Sequence, residues 1–277
     1  MSERVIRRLE PGEVAQLIDW AAGEGWNPGL GDAAGFARTG LDNFIGAFVD
    51  REMVSGIAAV AYGAGYGFIG LYICRPEMRG RGHGKAVWEA GMARLASRTI
   101  GLDGVDAQFE NYRSKGFAPA YRTIRFGGRV SESGHGDVEV GAPEPTDAEA
   151  ICRLDRRVFP ESRDVFLAHW LAPPHRVAVA RAEGEVTGYG VLRACRSGWK
   201  LGALVGRDDA TARALLRHLG GGVDGEIFVD VPAGRTGFIA GLTEAGLSPG
   251  FETTRMYHGG MLPLAPELYG VTTLELG

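Results

Sequence analysis

The feature that most constrains this chain is a weak internal repeat, in which three stretches recur in the same order about 130 residues further on. LEPGEVAQLIDW (9–20) is matched by PEPTDAEAICRLD (143–155), FVDREMVSGIAAV (48–60) by ARAEGEVTGYGVL (180–192), and NYRSKGF (111–117) by GLTEAGL (241–247). The first pair reads as a turn entering an amphipathic helix. Pro marks the helix start, and acidic residues sit in the first turn, where they complement free N–H groups and the helix dipole. The second pair reads as strand, charged turn, strand. The third is a helix end closing at Gly116 or Gly246 before another strand. Each copy is thus a mixed α/β (α+β) unit, a run of antiparallel strands in a central sheet with helices on both faces. Between the copies, GGRVSESGHGD (127–137) is rich in Gly, Ser and charge and reads as a linker, which predicts domains at 1–133 and 134–277.

Composition bounds the function. With 277 residues, 45% hydrophobic and 23% charged, the chain suits two globular domains rather than a disordered protein. Its net charge of −4 lacks the basic excess of a general nucleic-acid binder. Three cysteines, with no CxxC and no His at ligand spacing, argue against a disulfide framework or a metal site and favour a reducing cytoplasm. MSERVIRRLEP has no apolar stretch behind its basic residues, so no export signal is expected. Met53 to Cys74 carries no charge over 22 residues, long enough to span a membrane. The central GAGYG breaks a helix, however, and predicts a turn between two buried strands. The apolar run FIGAFV (44–49) leaves open a meeting with the other half or with a second copy in a homodimer.

The stretch that carries chemistry is LYICRPEMRGRGHGKAVWEAGMARLA (71–96): an apolar strand, a glycine–arginine loop, then a helix with apolar Val87, Met92 and Leu95. Glycines let backbone approach a ligand, and a helix N-terminus points several free N–H groups one way, so RGRGHGK (79–85) is a seat for phosphates. Arg79, Arg81 and Lys85 add charge there. A Walker loop would need Gly at Arg79 and Ser or Thr at Ala86, and the dinucleotide spacing GxGxxG fails at Lys85.

The remaining pattern, R-x-x-G-x-G after a strand ending in Cys-Arg-Pro, resembles the acyl-CoA pyrophosphate loop of the GNAT superfamily of N-acyltransferases. Tyr112, in a Y-x-x-x-G-F segment ending at Phe117, matches the family's helix and strand beside the cofactor sulfur, and EGWNPG, GLDGV and TTRM recur in bacterial tandem members. The likeness is good over residues 4–127 and degenerate beyond. It implies two tandem, mostly antiparallel GNAT folds and transfer of an acetyl group from acetyl-CoA to a small-molecule amine or protein lysine, with no nucleic-acid or membrane partner. By this resemblance Cys74 lies where backbone N–H groups polarise the thioester, Arg79, Gly80, Arg81, Gly82, His83, Gly84 and Lys85 hold the cofactor, and Tyr112 protonates the departing thiolate. Trp26, Asn27 and Asp32 would wall the acceptor site.

An alkyl ammonium with a pKa near ~10.4 must lose its proton before it attacks. Many GNAT enzymes place a Glu on the strand before the loop, yet GYGFIGLYIC (65–74) holds no acid. Asp103 is the first expectation for the base, with Asp106 and Asp32 behind it. In the second half the loop position is LGALVGRDDATARALLRHL (201–219), where Asp208 and Asp209 would repel a diphosphate, and Leu242 replaces Tyr112. That half is expected to lack CoA binding and to serve by covering the first sheet or by shaping the acceptor cleft through residues 225–257. Asp230 takes the place of Asp103, and Arg255-Met256 is read as a strand end. Residues 263–277 carry no assignable pattern. The missing strand acid also supports a different class, a non-catalytic acyl-CoA sensor.

Overall fold

The computed structural model describes residues 3–130 and 138–277. The first half runs β1 (Arg4–Arg8), α1 (Pro11–Gly23), α2 (Asp32–Ala37), β2 (Phe44–Val49), β3 (Glu52–Tyr62), β4 (Tyr66–Cys74), α3 (His83–Arg94), β5 (Thr99–Val105), α4 (Phe109–Ser114) and β6 (Ala118–Gly128). The second runs β7 (Glu139–Gly141), α5 (Ala148–Val158), α6 (Asp164–Trp170), β8 (Arg176–Ala182), β9 (Glu185–Ala194), β10 (Trp199–Gly206), α7 (Asp209–Gly220), β11 (Ile227–Pro232), α8 (Thr236–Glu244), β12 (Leu247–His258) and β13 (Leu268–Gly270).

The repeat is visible in detail. Glu10 and Glu13 form a capping box at α1, and Glu144 with Asp147 forms the matching one ahead of α5. The β2–β3 turn, Asp50-Arg51, and the β8–β9 turn, Glu183-Gly184, have positive φ at both central residues, the backbone hand that suits a tight hairpin. The charge-free stretch 53–74 is two paired antiparallel strands, β3 and β4. FIGAFV is β2, paired on both sides within the chain by β1 and β3. No helix among the described residues is long and apolar enough to cross a membrane.

The strands form one continuous sheet, β1-β2-β3-β4-β5-β12-β6-β11-β10-β9-β8-β7, with β13 added on β10. Among the described residues only β4–β5 and β10–β11 pair in parallel. The second half therefore extends the first sheet rather than covering it, and the two halves exchange their closing strands: β12 pairs with β5, while β6 pairs with β11. This corrects two expectations. Gly127 and Gly128, assigned to the linker, are the last residues of β6 and pair with β11, because they sit where two strands need close approach. The rest of that linker from residue 131, with the boundary at 133/134, lies outside the described residues. Arg255 and Met256 stand inside β12 rather than at its end.

At the centre β6 and β12 run antiparallel, with Thr123 opposite Thr253. Two residues on from each threonine is an arginine facing an aspartate on the exchanged neighbour, Arg125 opposite Asp230 and Arg255 opposite Asp103. Both pairs are two-pronged at 2.8–2.9 Å, and their side chains are at most 10% exposed. Burial would raise the Asp230 carboxyl, but Arg125 outweighs it and holds that group below the usual carboxylate range. Removing one partner of such a pair strands a buried charge. Arg255→Met is expected to lower unfolding free energy by about 3–5 kcal/mol in urea titrations, and a loss below about 1 kcal/mol, typical of an exposed pair, would contradict this role.

Candidate active site

Beyond Ile69, β4 and β5 no longer pair. The cause is local: the β3–β4 register slips between Gly56 and Ala58, and Leu71 sits at φ +48°, a left-handed conformation that a leucine adopts only under constraint. The bulge turns β4 away, so its edge from Gly70 to Cys74 faces a cleft instead of a strand. The cleft has a volume of about 530 Å³, which is ample for the end of a cofactor and a small acceptor. β12 and β6 of the exchanged pair form its far side, contributing Thr253, Phe251 and Arg125.

At the mouth lies the glycine loop. Gly82 is the left-handed residue before α3 at φ +80°, and Gly80 lies at φ +76° with open space where a Cβ would stand. Arg4 donates to the Gly82 carbonyl (3.2 Å) and fixes the loop against β1. Arg79, Gly80, Gly82, His83, Gly84 and Lys85 line the cleft; Arg81 is exposed beside it. Arg79 is held by Glu24 (2.6 Å) and the Cys74 carbonyl (3.0 Å). Lys85 is exposed, 3.7 Å from Glu89. His83 has an unpartnered Nδ1, and burial with Arg4 and Arg81 nearby pushes its pKa down.

Tyr112, on α4, reaches the same cleft. Trp88 stacks on its ring at 5.6 Å, and Gly104 must be glycine here, since a Cβ would lie 2.9 Å from that ring. Burial, with Tyr72 nearby, raises its pKa to about 12, which keeps the phenol protonated at any physiological pH. Cys74 also lines the cleft, and burial raises its thiol pKa despite Ser55 and Arg79.

The acceptor-side residues separate. Trp26 lines the cleft. Asn27 points the other way, donating to Ser197 O (2.7 Å) and accepting from Ser197 N (3.0 Å), so it ties its loop to the second half. Asp32 is fully buried on α2, accepting from Gly29 N (2.7 Å) and Arg193 (3.0 Å); it is a strut between the halves and is not at the cleft. Asp103 borders the cleft, yet Arg255 occupies both its oxygens. Asp106 is exposed, 3.9 Å from Arg122. None of the three carboxylates expected from sequence is a free base in the cleft.

A model of the acetyltransferase (GNAT) domain matches residues 151–270. Over 272 residues the chain is 28% identical to the holothin acyltransferase of Pseudoalteromonas sp. (strain SANK 73390), covering 94% of this chain and 90% of that one. The fold is shared with a Pyrococcus horikoshii protein assigned as an acetyltransferase (TM-score 0.79, 20% identity, 99% of this chain and 96% of that one). It is shared also with a tandem GNAT protein from the clavulanic acid biosynthesis pathway (TM-score 0.63, 14% identity, 94% and 100%). Over residues 151–270 the chain thus matches the GNAT acetyltransferase domain, and along its length it is similar to a named acyltransferase.

The family model matches the half whose own cleft is filled. There β10 leaves β11 after Leu201, as β4 leaves β5, but β13 pairs with β10 inside that wedge. A Cβ on Gly202 would lie 2.5 Å from the Val271 carbonyl. Asp208 caps α7 by accepting from Thr211 N (2.8 Å), and Leu242 is fully buried among apolar neighbours. After β13 the chain crosses to the first half, where Leu274 and Glu275 line the open cleft. Sequence reasoning missed these two residues. The only signal was that Glu275 is one of two acids in a largely apolar closing stretch, and no periodicity could aim it.

The three thiols are free, and burial raises the pKa of each. A thiol above its ordinary value of about 8.5 is less than about a tenth ionised at pH 7.5. Cys74 is therefore expected to alkylate slowly with iodoacetamide at pH 7.5 and faster as pH rises past 9. Rapid labelling of Cys74 at pH 7 in mass spectra would contradict this environment.

Proposed function

We propose that this acyltransferase moves the acetyl group of acetyl-CoA to a primary amine by direct attack in a ternary complex, in the cleft of the first half. One observation carries the reading: the unpaired edge of β4 and Tyr112 line a single cleft that opens onto the glycine loop. Phosphates would sit on the α3 N-terminus and the backbone of Gly80 and Gly82, where no side chain intrudes. The thioester carbonyl would lie along β4 near Cys74, polarised by strand N–H groups. Tyr112 would give its proton to the CoA sulfur as the C–S bond breaks; a thiolate, whose thiol has a pKa near ~8.5, leaves far more readily than an alkoxide, so a weak acid such as a phenol is enough to assist it. Because the cysteines are protonated and buried to differing degrees, no acyl-enzyme is invoked.

The acceptor is read as a small molecule, since β6, β12 and residues 274–275 enclose the far end of the cleft. The relative named for acylating holothin fits such an acceptor. A non-catalytic sensor loses its main support once a carboxylate, Glu275, is present in the cleft. Three unpaired thiols suit a reducing cytoplasm.

Calorimetric titration with acetyl-CoA should give one site per chain. Gly82→Val, which forces a branched residue to φ +80° under the phosphate seat, should weaken that affinity at least tenfold; unaltered affinity would sink the loop assignment. Tyr112→Phe should reduce amine-dependent release of CoA thiol by about 10²-fold with acetyl-CoA affinity intact. The phenol's pKa of about 12 keeps its acid form present on the lower-pH side, so wild-type turnover should hold between pH 8 and 10. A fall over that window that Tyr112→Phe abolishes would contradict this assignment.

A further inference from the structure

Residues 271–277 lack regular structure but are firmly held. Arg163 donates to Thr272 Oγ1 (2.7 Å) and Gly277 O (2.9 Å), the Tyr62 hydroxyl donates to Leu276 O (2.9 Å), and Leu276 N donates to Thr273 Oγ1 (2.8 Å). Gly70 admits the Glu275 backbone, whose carbonyl would lie 1.9 Å from a Cβ there. Glu275 is thereby fixed at the base of the β4–β5 wedge. It is 3% exposed, it lines the same cleft as Cys74 and Tyr112, and its Oε2 has no hydrogen-bond partner. A buried carboxylate oxygen without a donor is costly unless something arrives to pair with it.

The surrounding charges are already engaged. Arg125 on β6 is paired with Asp230 on β11, and Arg193 on β9 with Asp32 on α2. Lys200 on β10 donates to the Trp26 carbonyl (2.9 Å), and burial lowers its pKa although Glu275 opposes that. The buried Cys195 thiol, its pKa raised by burial, completes the titratable groups facing Glu275. Lys200 only faces the Glu275 carboxylate, without a hydrogen bond or ion pair to it, and the other two carboxylates lining the cleft, Asp103 and Glu24, are held by Arg255 and Arg79, so none is left to meet additional positive charge. Trp26, Phe251 and Leu274 supply apolar and aromatic walls.

We propose that Glu275, delivered by the second half, accepts the proton of the attacking ammonium, and that the site selects a primary amine on a small apolar body with no other positive charge. This rests on the acyl-transfer reading above. The ammonium gives one proton to the Glu275 carboxylate, and the freed nitrogen lone pair forms the N–C bond at the thioester carbonyl. As the tetrahedral adduct collapses, the C–S bonding pair goes to sulfur, which takes the Tyr112 proton. The adduct's second N–H proton restores the phenol, and Glu275 releases its proton to water, so that one proton is produced per amide and free thiol.

The test uses the full chain, with benzylamine as the apolar monoamine and spermidine as the polycation. Benzylamine should exceed spermidine at least tenfold in kcat/KM; equal or reversed preference overturns the selectivity. Glu275→Gln should lower kcat for benzylamine at least 10²-fold at pH 7 while acetyl-CoA affinity stays within twofold. That deficit should shrink about tenfold per pH unit toward the amine's own pKa, as solvent does the deprotonation. A deficit constant with pH, or no deficit, overturns the proton-acceptor role. Benzylamine affinity for the complex with acetonyl-CoA, an unreactive ketone analogue, is measured alongside and should fall at least tenfold in Glu275→Gln; equal affinity also overturns it. If that dependence holds while the wild type turns over no amine, the amine site at Glu275 stands and the acyl-transfer reading fails.

Discussion

Arg255 and Asp103 lie opposite one another on strands from different halves of the chain, and neither charge could be buried there alone. The same is true of Arg125 and Asp230. These two pairs sit on the exchanged strands β12 and β6, two residues from the threonines that meet at the centre of the sheet. A buried pair of this kind adds little stability over apolar residues of similar size, but it penalises every register in which one partner is left unpaired. It therefore fixes which strand closes which half, and with that the alignment of the two wedges that open on either side.

The two wedges show what duplication allows. Each arises where a strand slips register against its antiparallel neighbour, β4 against β3 and β10 against β9, and then parts from its parallel one, β5 or β11. One is left open, with a glycine loop and a tyrosine at its mouth. The other is filled by its own chain, through β13, and its loop and tyrosine positions hold an aspartate cap and a buried leucine. A filled wedge cannot take a pantetheine arm, but it gives residues 271–277 a fixed starting point beside the open one. The second half thus supplies part of the lining of the cleft in the first.

Much of this was legible in the sequence because it is local. The capping boxes, hairpin turns, helix-ending glycines and the loop 79–85 are each set by residues within a few positions of one another, and the structure holds them where their spacing suggests. The partners of Asp103, Asp32 and Asn27 were not legible for the opposite reason: Arg255, which takes up Asp103 at the cleft, and Arg193 and Ser197, which hold the other two away from it, come from more than 150 residues away. The strand exchange has the same origin. T-x-R recurs at 123–125 and 253–255, but a repeat does not say whether each copy closes on itself or on its twin. Glu275 was invisible because its position depends on a glycine in β4 and an arginine ahead of α6, not on its neighbours in sequence.

On the proposed function one wedge binds acyl-CoA and the other is structural. Amide hydrogen exchange, followed by mass spectrometry with and without acetyl-CoA, reads both wedges in one experiment. Slowed exchange confined to peptides covering 72–86 and 103–112, with 201–212 unchanged, is the predicted result. Protection at 201–212 comparable to that at 72–86, or none at either, would contradict it.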